Sequence, residues 1–200
     1  IVDPVQPNAT TASNSALILQ GNTVDAGDCL AMYSGFINNS SYYTPIKVGW
    51  KITSSGGAAT VDTRASYADF RGSHNYTVAY YSGHGSKSSG YPVLNASSSN
   101  SSGTWSSFNV ADKLGVGTSN WQSTHYWNTS DPLRVLMLAA CHQLDSTIMK
   151  YYARVMKTSS VRAIAGYHGT GPGQPTDTNI ANKFMTYAAA GNSVWYSWQH

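Results

Sequence analysis

Glutamate is missing from this 200-residue chain; all nine acidic side chains are aspartates, and charged residues make up only 10% of the composition. A typical globular protein carries about a quarter. The polar surface must therefore come from Ser, Thr, Asn, Gly and Tyr, which suits a secreted, extracellular protein better than a cytosolic one. The net charge is only +3, and the 12 basic residues are scattered without a run. A nucleic-acid partner would need a concentrated basic footprint, so none is expected. No stretch of 18 apolar residues occurs, which argues against a membrane span. Cysteine is scarce, with only Cys29 and Cys141. No cysteine pair has ligand spacing and no two histidines stand four apart, so no metal site is expected. The glycine-rich stretch Gly169-Thr170-Gly171-Pro172-Gly173 lacks the lysine of a phosphate loop. No cofactor is expected either.

The chain opens Ile1-Val2-Asp3-Pro4, with no Met and no signal-peptide core, and reads as a processed mature form. Asn-x-Ser/Thr acceptors begin at Asn8, Asn38, Asn39, Asn75, Asn95, Asn100 and Asn128, seven of 14 asparagines, in stretches read as loops or strand starts. They make glycans an expected surface feature. In an extracellular protein two cysteines can form one disulfide; a free Cys can equally serve as a small core hydrophobe. Both readings stay open.

Residues 1–15, with Pro4, Pro7 and no periodicity, read as an extended N-terminal arm, and residues 16–200 as one domain. Ala16 to Gln20 is a short apolar run, a strand. From Asp25 the apolar positions Cys29, Met32, Tyr33, Phe36 and Ile37 trace one helical face. Val48 to Thr53 reads as a strand, Thr60 to Arg71 as holding a short helix, and Tyr76 to Tyr81 as a strand. Residues 86–131 are rich in Ser, Gly and Asn and read as an insertion. Leu133 to Ala140 is the most apolar strand. Ile148, Tyr151, Tyr152, Val155 and Met156 again share a helical face. Val161 to Gly166 is a strand, a helix starts at Pro175-Thr176-Asp177 and stops at Gly191, and Val194 to Trp198 reads as a last strand. This alternation predicts an α/β fold, a mostly parallel open sheet with helices on both faces.

Two of these strands end in reactive residues. Tyr81-Ser82-Gly83-His84-Gly85 follows one apolar run, and Leu136-Met137-Leu138-Ala139-Ala140-Cys141 completes another. Parallel neighbours would bring His84 and Cys141 together at the strands' carboxyl ends, where open α/β sheets bind ligands. A thiol beside an imidazole is a minimal nucleophilic apparatus.

These two segments resemble the histidine and cysteine motifs of the caspase, metacaspase and legumain group of cysteine peptidases. The likeness covers roughly residues 70–170, with His before Cys and the two 57 positions apart. It implies a caspase-like fold with His84 as general acid/base, Cys141 as nucleophile, and the amides of Gly85 and Cys141 as oxyanion hole. A peptide would be the substrate. One departure is the bulky His142 directly after Cys141. Specificity residues are not assignable; neither Arg64 nor Arg162 can be placed in a pocket. His168 reads as a loop residue near the cleft. The alternative function is an extracellular glycoprotein with little or no activity, self-assembling into a filament as residues 1–10 add to a neighbour's sheet edge.

Overall fold

A computed structural model describes residues 16–20, 26–39, 47–48, 52–55, 58–61, 70, 72–88, 91–97, 105–109, 127 and 129–199. The arm at 1–15, together with Asn8, Asn100, Asn128 and Arg64, lies outside the described residues.

The main sheet is parallel. Its four full strands are β1 (Ala16–Gln20), β5 (Val78–Ser82), β9 (Val135–Ala139) and β10 (Ala163–Gly166), with the two-residue β2 (Lys47–Val48) on one edge. The spatial order is β10-β9-β5-β1-β2. Strands buried on both faces need unbroken apolar sequence. Ala-Leu-Ile-Leu-Gln and Val-Leu-Met-Leu-Ala meet that demand, and every residue of β1 and β5 is buried. The core gathers on this sheet, with Ile18, Leu19, Tyr80, Tyr81, Leu136, Met137 and Leu138 among its fully buried side chains.

Helices flank the sheet: α1 (Ala26–Asn38), α2 (Met149–Thr158), α3 (Thr176–Ala189) and the short α4 (Val194–Gln199). α1 and α3 pack closely. A Cβ on Gly35 would collide with the Met185 side chain, so only glycine permits that approach. The buried face of α1 is Asp28, Cys29, Met32 and Phe36. Ile37, expected on that face, is 45% exposed; at 100° per residue it stands about 80° round from Cys29. Met156 is displaced from the α2 face for the same reason and is also exposed. Gly191 does close α3, at φ +85°.

The Ser-, Gly- and Asn-rich stretch read as an insertion carries a three-stranded antiparallel sheet of β6 (Gly85–Ser88), β7 (Tyr91–Ser97) and β8 (Trp105–Asn109). Two expectations are corrected. The run 48–53 divides between β2 and β3 (Ile52–Ser55); β3 pairs with β4 (Ala58–Val61), so Thr60 and Val61 are strand and not helix. Val194 to Trp198 forms α4 and not a strand. There Ser193 Oγ accepts the Tyr196 N–H at 3.2 Å, a cap that favours a helical start over the strand preference of Val, Trp and Tyr. Two sequons also sit differently from expectation, with Asn38 the last residue of α1 and Asn95 inside β7. No described helix is long and apolar enough to cross a membrane.

Candidate functional site

Register brings the reactive residues together. β5 and β9 pair in parallel with Ser82 opposite Ala139, and the Gly83 N–H donates to the Ala139 carbonyl at 3.2 Å. His84 and Cys141 each follow two residues beyond that matched pair. Both line one cavity of about 210 Å³ outside the carboxyl ends of the strands. Sheet order reverses between β1 and β5, and such a switch point opens a crevice. His84 is exposed and Cys141 half-buried. Cys29 and Cys141 are both free thiols, which decides the disulfide question. Cys29 is fully buried, its Sγ 3.7 Å from the Leu19 carbonyl.

The same cavity holds residues that motif reading missed. Asp28, in the first turn of α1, and Asp177, in the first turn of α3, both line it, together with Tyr167 and the loop 171–174. Asp28 is completely buried. Its Oδ1 accepts the Cys29 N–H at 2.7 Å and its Oδ2 the Tyr80 hydroxyl at 2.6 Å. Burial pushes its pKa up to about 6, against hydrogen bonds from Ser82 and Tyr80 that favour the anion; the charge of Asp177 adds to the rise. Burial raises Asp177 as well. Tyr80 and Tyr167 are held as neutral phenols, chiefly by burial and then by the nearby Asp28 charge. The signal available in sequence was positional: Asp28 opens the helix directly after β1, and Asp177 the helix after β10, at the sheet end that also carries His84 and Cys141.

Around the sulfur the backbone is tightly held. The Gly171 N–H donates to Cys141 Sγ at 3.3 Å. His142 adopts φ +63°, an uncommon left-handed conformation for a residue with a side chain. Its N–H donates to the Gly169 carbonyl at 2.6 Å, and its Nδ1 lies 3.0 Å from Asp145 Oδ2. Gly85 packs against the cysteine turn so closely that a Cβ there would stand 2.5 Å from the Cys141 carbonyl.

Arg162 does not line this pocket, and Arg64 lies outside the described residues. Arg162 is exposed and precedes β10, at the opposite end of the sheet. His168 is exposed in the loop after β10. Among the described residues no group of three His, Cys, Asp or Glu is placed to hold a metal ion. No protein-family model, curated protein or solved structure matches this chain.

The arrangement places a free thiol, an imidazole and two buried carboxyl groups around one cavity. That is a set able to attack a carbonyl while holding a cationic group beside it.

Proposed function

We propose that the protein is a secreted cysteine peptidase of the caspase, metacaspase and legumain type, with the caspase-like arrangement of helices on both sheet faces, and that it cleaves after basic residues. The observation that carries this reading is the shared cavity of His84 and the free thiol of Cys141, set there by matched strand register. His84 takes the thiol proton, and the thiolate attacks the scissile carbonyl carbon. The N–H groups of Gly85 and Cys141 receive the developing oxyanion, a service often worth about 3 kcal/mol per donor. The C–N bond breaks as His84 returns the proton to the leaving amine. Water, deprotonated by His84, then attacks the thioester and frees the acid and Cys141.

The basic preference follows from Asp28 and Asp177. Two carboxylates in a poorly solvated pocket repel each other and carry raised pKa values. The positive charge of an arginine or lysine side chain in the cavity is attracted by both carboxylates behind its wall, whereas an acidic one would add a third repelling charge. Cleavage of fluorogenic peptides varied at the residue before the scissile bond tests this. Wild-type protein is expected to cleave after Arg or Lys, and Cys141→Ala and His84→Ala to lose at least about 100-fold. Absence of wild-type hydrolysis, or equal hydrolysis by Cys141→Ala, overturns the reading.

Glycan attachment is favoured at Asn75, which is exposed and followed by Tyr76 and Thr77. The filament alternative depends on residues 1–10, outside the described residues. Deleting them and measuring particle size would test it, since a filament requires that contact.

A further inference from the structure

The turn 141–145 grips the β6–β7 hairpin at two points. Lys87, three residues after His84 on β6, places Nζ 2.8 Å from Asp145 Oδ2. Val93 on β7 accepts a 3.1 Å hydrogen bond from Gln143 Nε2 through its carbonyl. β6 and β7 are paired, with Ser86 opposite Val93, so both grips act on one rigid unit that begins at Gly85. Gln143 is fully buried; its Nε2 also donates to the Cys141 carbonyl at 3.0 Å, and its Oε1 accepts the Tyr152 hydroxyl at 2.7 Å. Asp145 Oδ1 accepts the Gly169 N–H at 2.7 Å, which ties the same turn to the loop whose Gly171 N–H meets the sulfur.

We propose that Asp145 on Lys87 and Gln143 on Val93 form a clamp that sets His84 against Cys141, making Lys87, Asp145 and Gln143 positioning residues of the dyad. The inference rests on the dyad reading above. The clamp joins the segment just after the base to the segment just after the nucleophile, and neither grip uses the reacting atoms. An ion pair with one exposed partner is weak as a stabiliser of the fold. Held against a close-packed turn, it fixes geometry instead, and small misplacements of catalytic groups are costly.

The test is the rate at which iodoacetamide alkylates Cys141 at pH 7, read by peptide mass mapping. His84→Ala is expected to slow it about tenfold, because the imidazole that takes the thiol proton as the sulfur attacks is gone. Lys87→Met is expected to slow it about three- to fivefold, and Lys87→Arg to restore it. The double variant K87M/H84A should react no more slowly than His84→Ala, because the clamp acts through the imidazole. Asp28, Asp177, Tyr167 and His142, the other titratable groups around the thiol, are unchanged in all of these variants. Lys87 is half exposed but Asp145 is buried and keeps its contacts to His142 and the Gly169 N–H, so Lys87→Met should lower the unfolding temperature by a few degrees, which a thermal scan of each variant reads beside the alkylation rate. Wild-type reactivity in Lys87→Met, or an equal further loss when it is added to His84→Ala, overturns the clamp. Wild-type reactivity in His84→Ala overturns the dyad, and the clamp with it.

Discussion

The Tyr80 hydroxyl donates a 2.6 Å hydrogen bond to Asp28 Oδ2, joining the middle of β5 to the first turn of α1. Both groups are buried, so the bond supports a carboxylate that water does not reach. Tyr80→Phe removes the donor and leaves the anion less compensated. Unfolding by urea at pH 7.5 should show a loss of about 1.5–3 kcal/mol. A loss below 0.5 kcal/mol would place Asp28 outside the electrostatic economy of the core.

The raised pKa of Asp28 makes stability depend on pH with a definite sign. Between about pH 4 and pH 6 the folded state keeps a proton on Asp28 that the unfolded chain has released. Stability from this group therefore falls as pH rises through that window and is flat above it. The shift from 3.8 to about 6 corresponds to roughly 3 kcal/mol. Wild-type protein should lose about that much more stability between pH 4 and pH 7 than Asp28→Asn. Denaturant titrations of both proteins across the range measure it.

On the proposed reading the same ionisation sets substrate affinity. Affinity for a peptide with arginine before the scissile bond should strengthen as pH rises through 6, and Asp28→Asn should weaken it about tenfold or more at pH 7.5. The KM of wild-type and variant protein against pH is the check. A pH-independent KM for arginine substrates would remove Asp28 from recognition.

Gly85 is required by contact and not by backbone torsion. A methyl group there would stand 2.5 Å from the Cys141 carbonyl, 2.8 Å from Ala140 Cβ and 2.8 Å from Gln143 Nε2. Those neighbours are held by β9 and by the buried Gln143 amide, so they yield only at a cost. Gly85→Ala should destabilise by about 1–3 kcal/mol and displace the amide that the proposed mechanism assigns to the oxyanion. Equilibrium unfolding, combined with the alkylation rate of Cys141, reads both effects.

Much of the sheet was legible because its strands carry the continuous apolar sequence that two-sided burial demands. β1, β5, β9 and β10 all fall within or close to the runs that foretold them. The β6–β8 sheet was not legible, because Ser, Gly and Asn dilute its pattern and its pairing is what orders it. In α4 the sequence Val-Trp-Tyr-Ser-Trp favours a strand by propensity, and the Ser193 cap decides otherwise. His84 and Cys141 were visible as the ends of apolar runs. Asp28, Asp177 and Gly171 were not, since only the sheet order β10-β9-β5-β1 brings such distant positions to one rim.

The most direct test of the account uses a peptidyl-arginine chloromethyl ketone, which needs a basic-residue pocket and an activated thiol at once. Incubation followed by intact mass and peptide mapping should give one adduct, on Cys141, formed at least about tenfold more slowly in His84→Ala and in Asp28→Asn. No adduct, an adduct on Cys29, or labelling indifferent to both substitutions would contradict it.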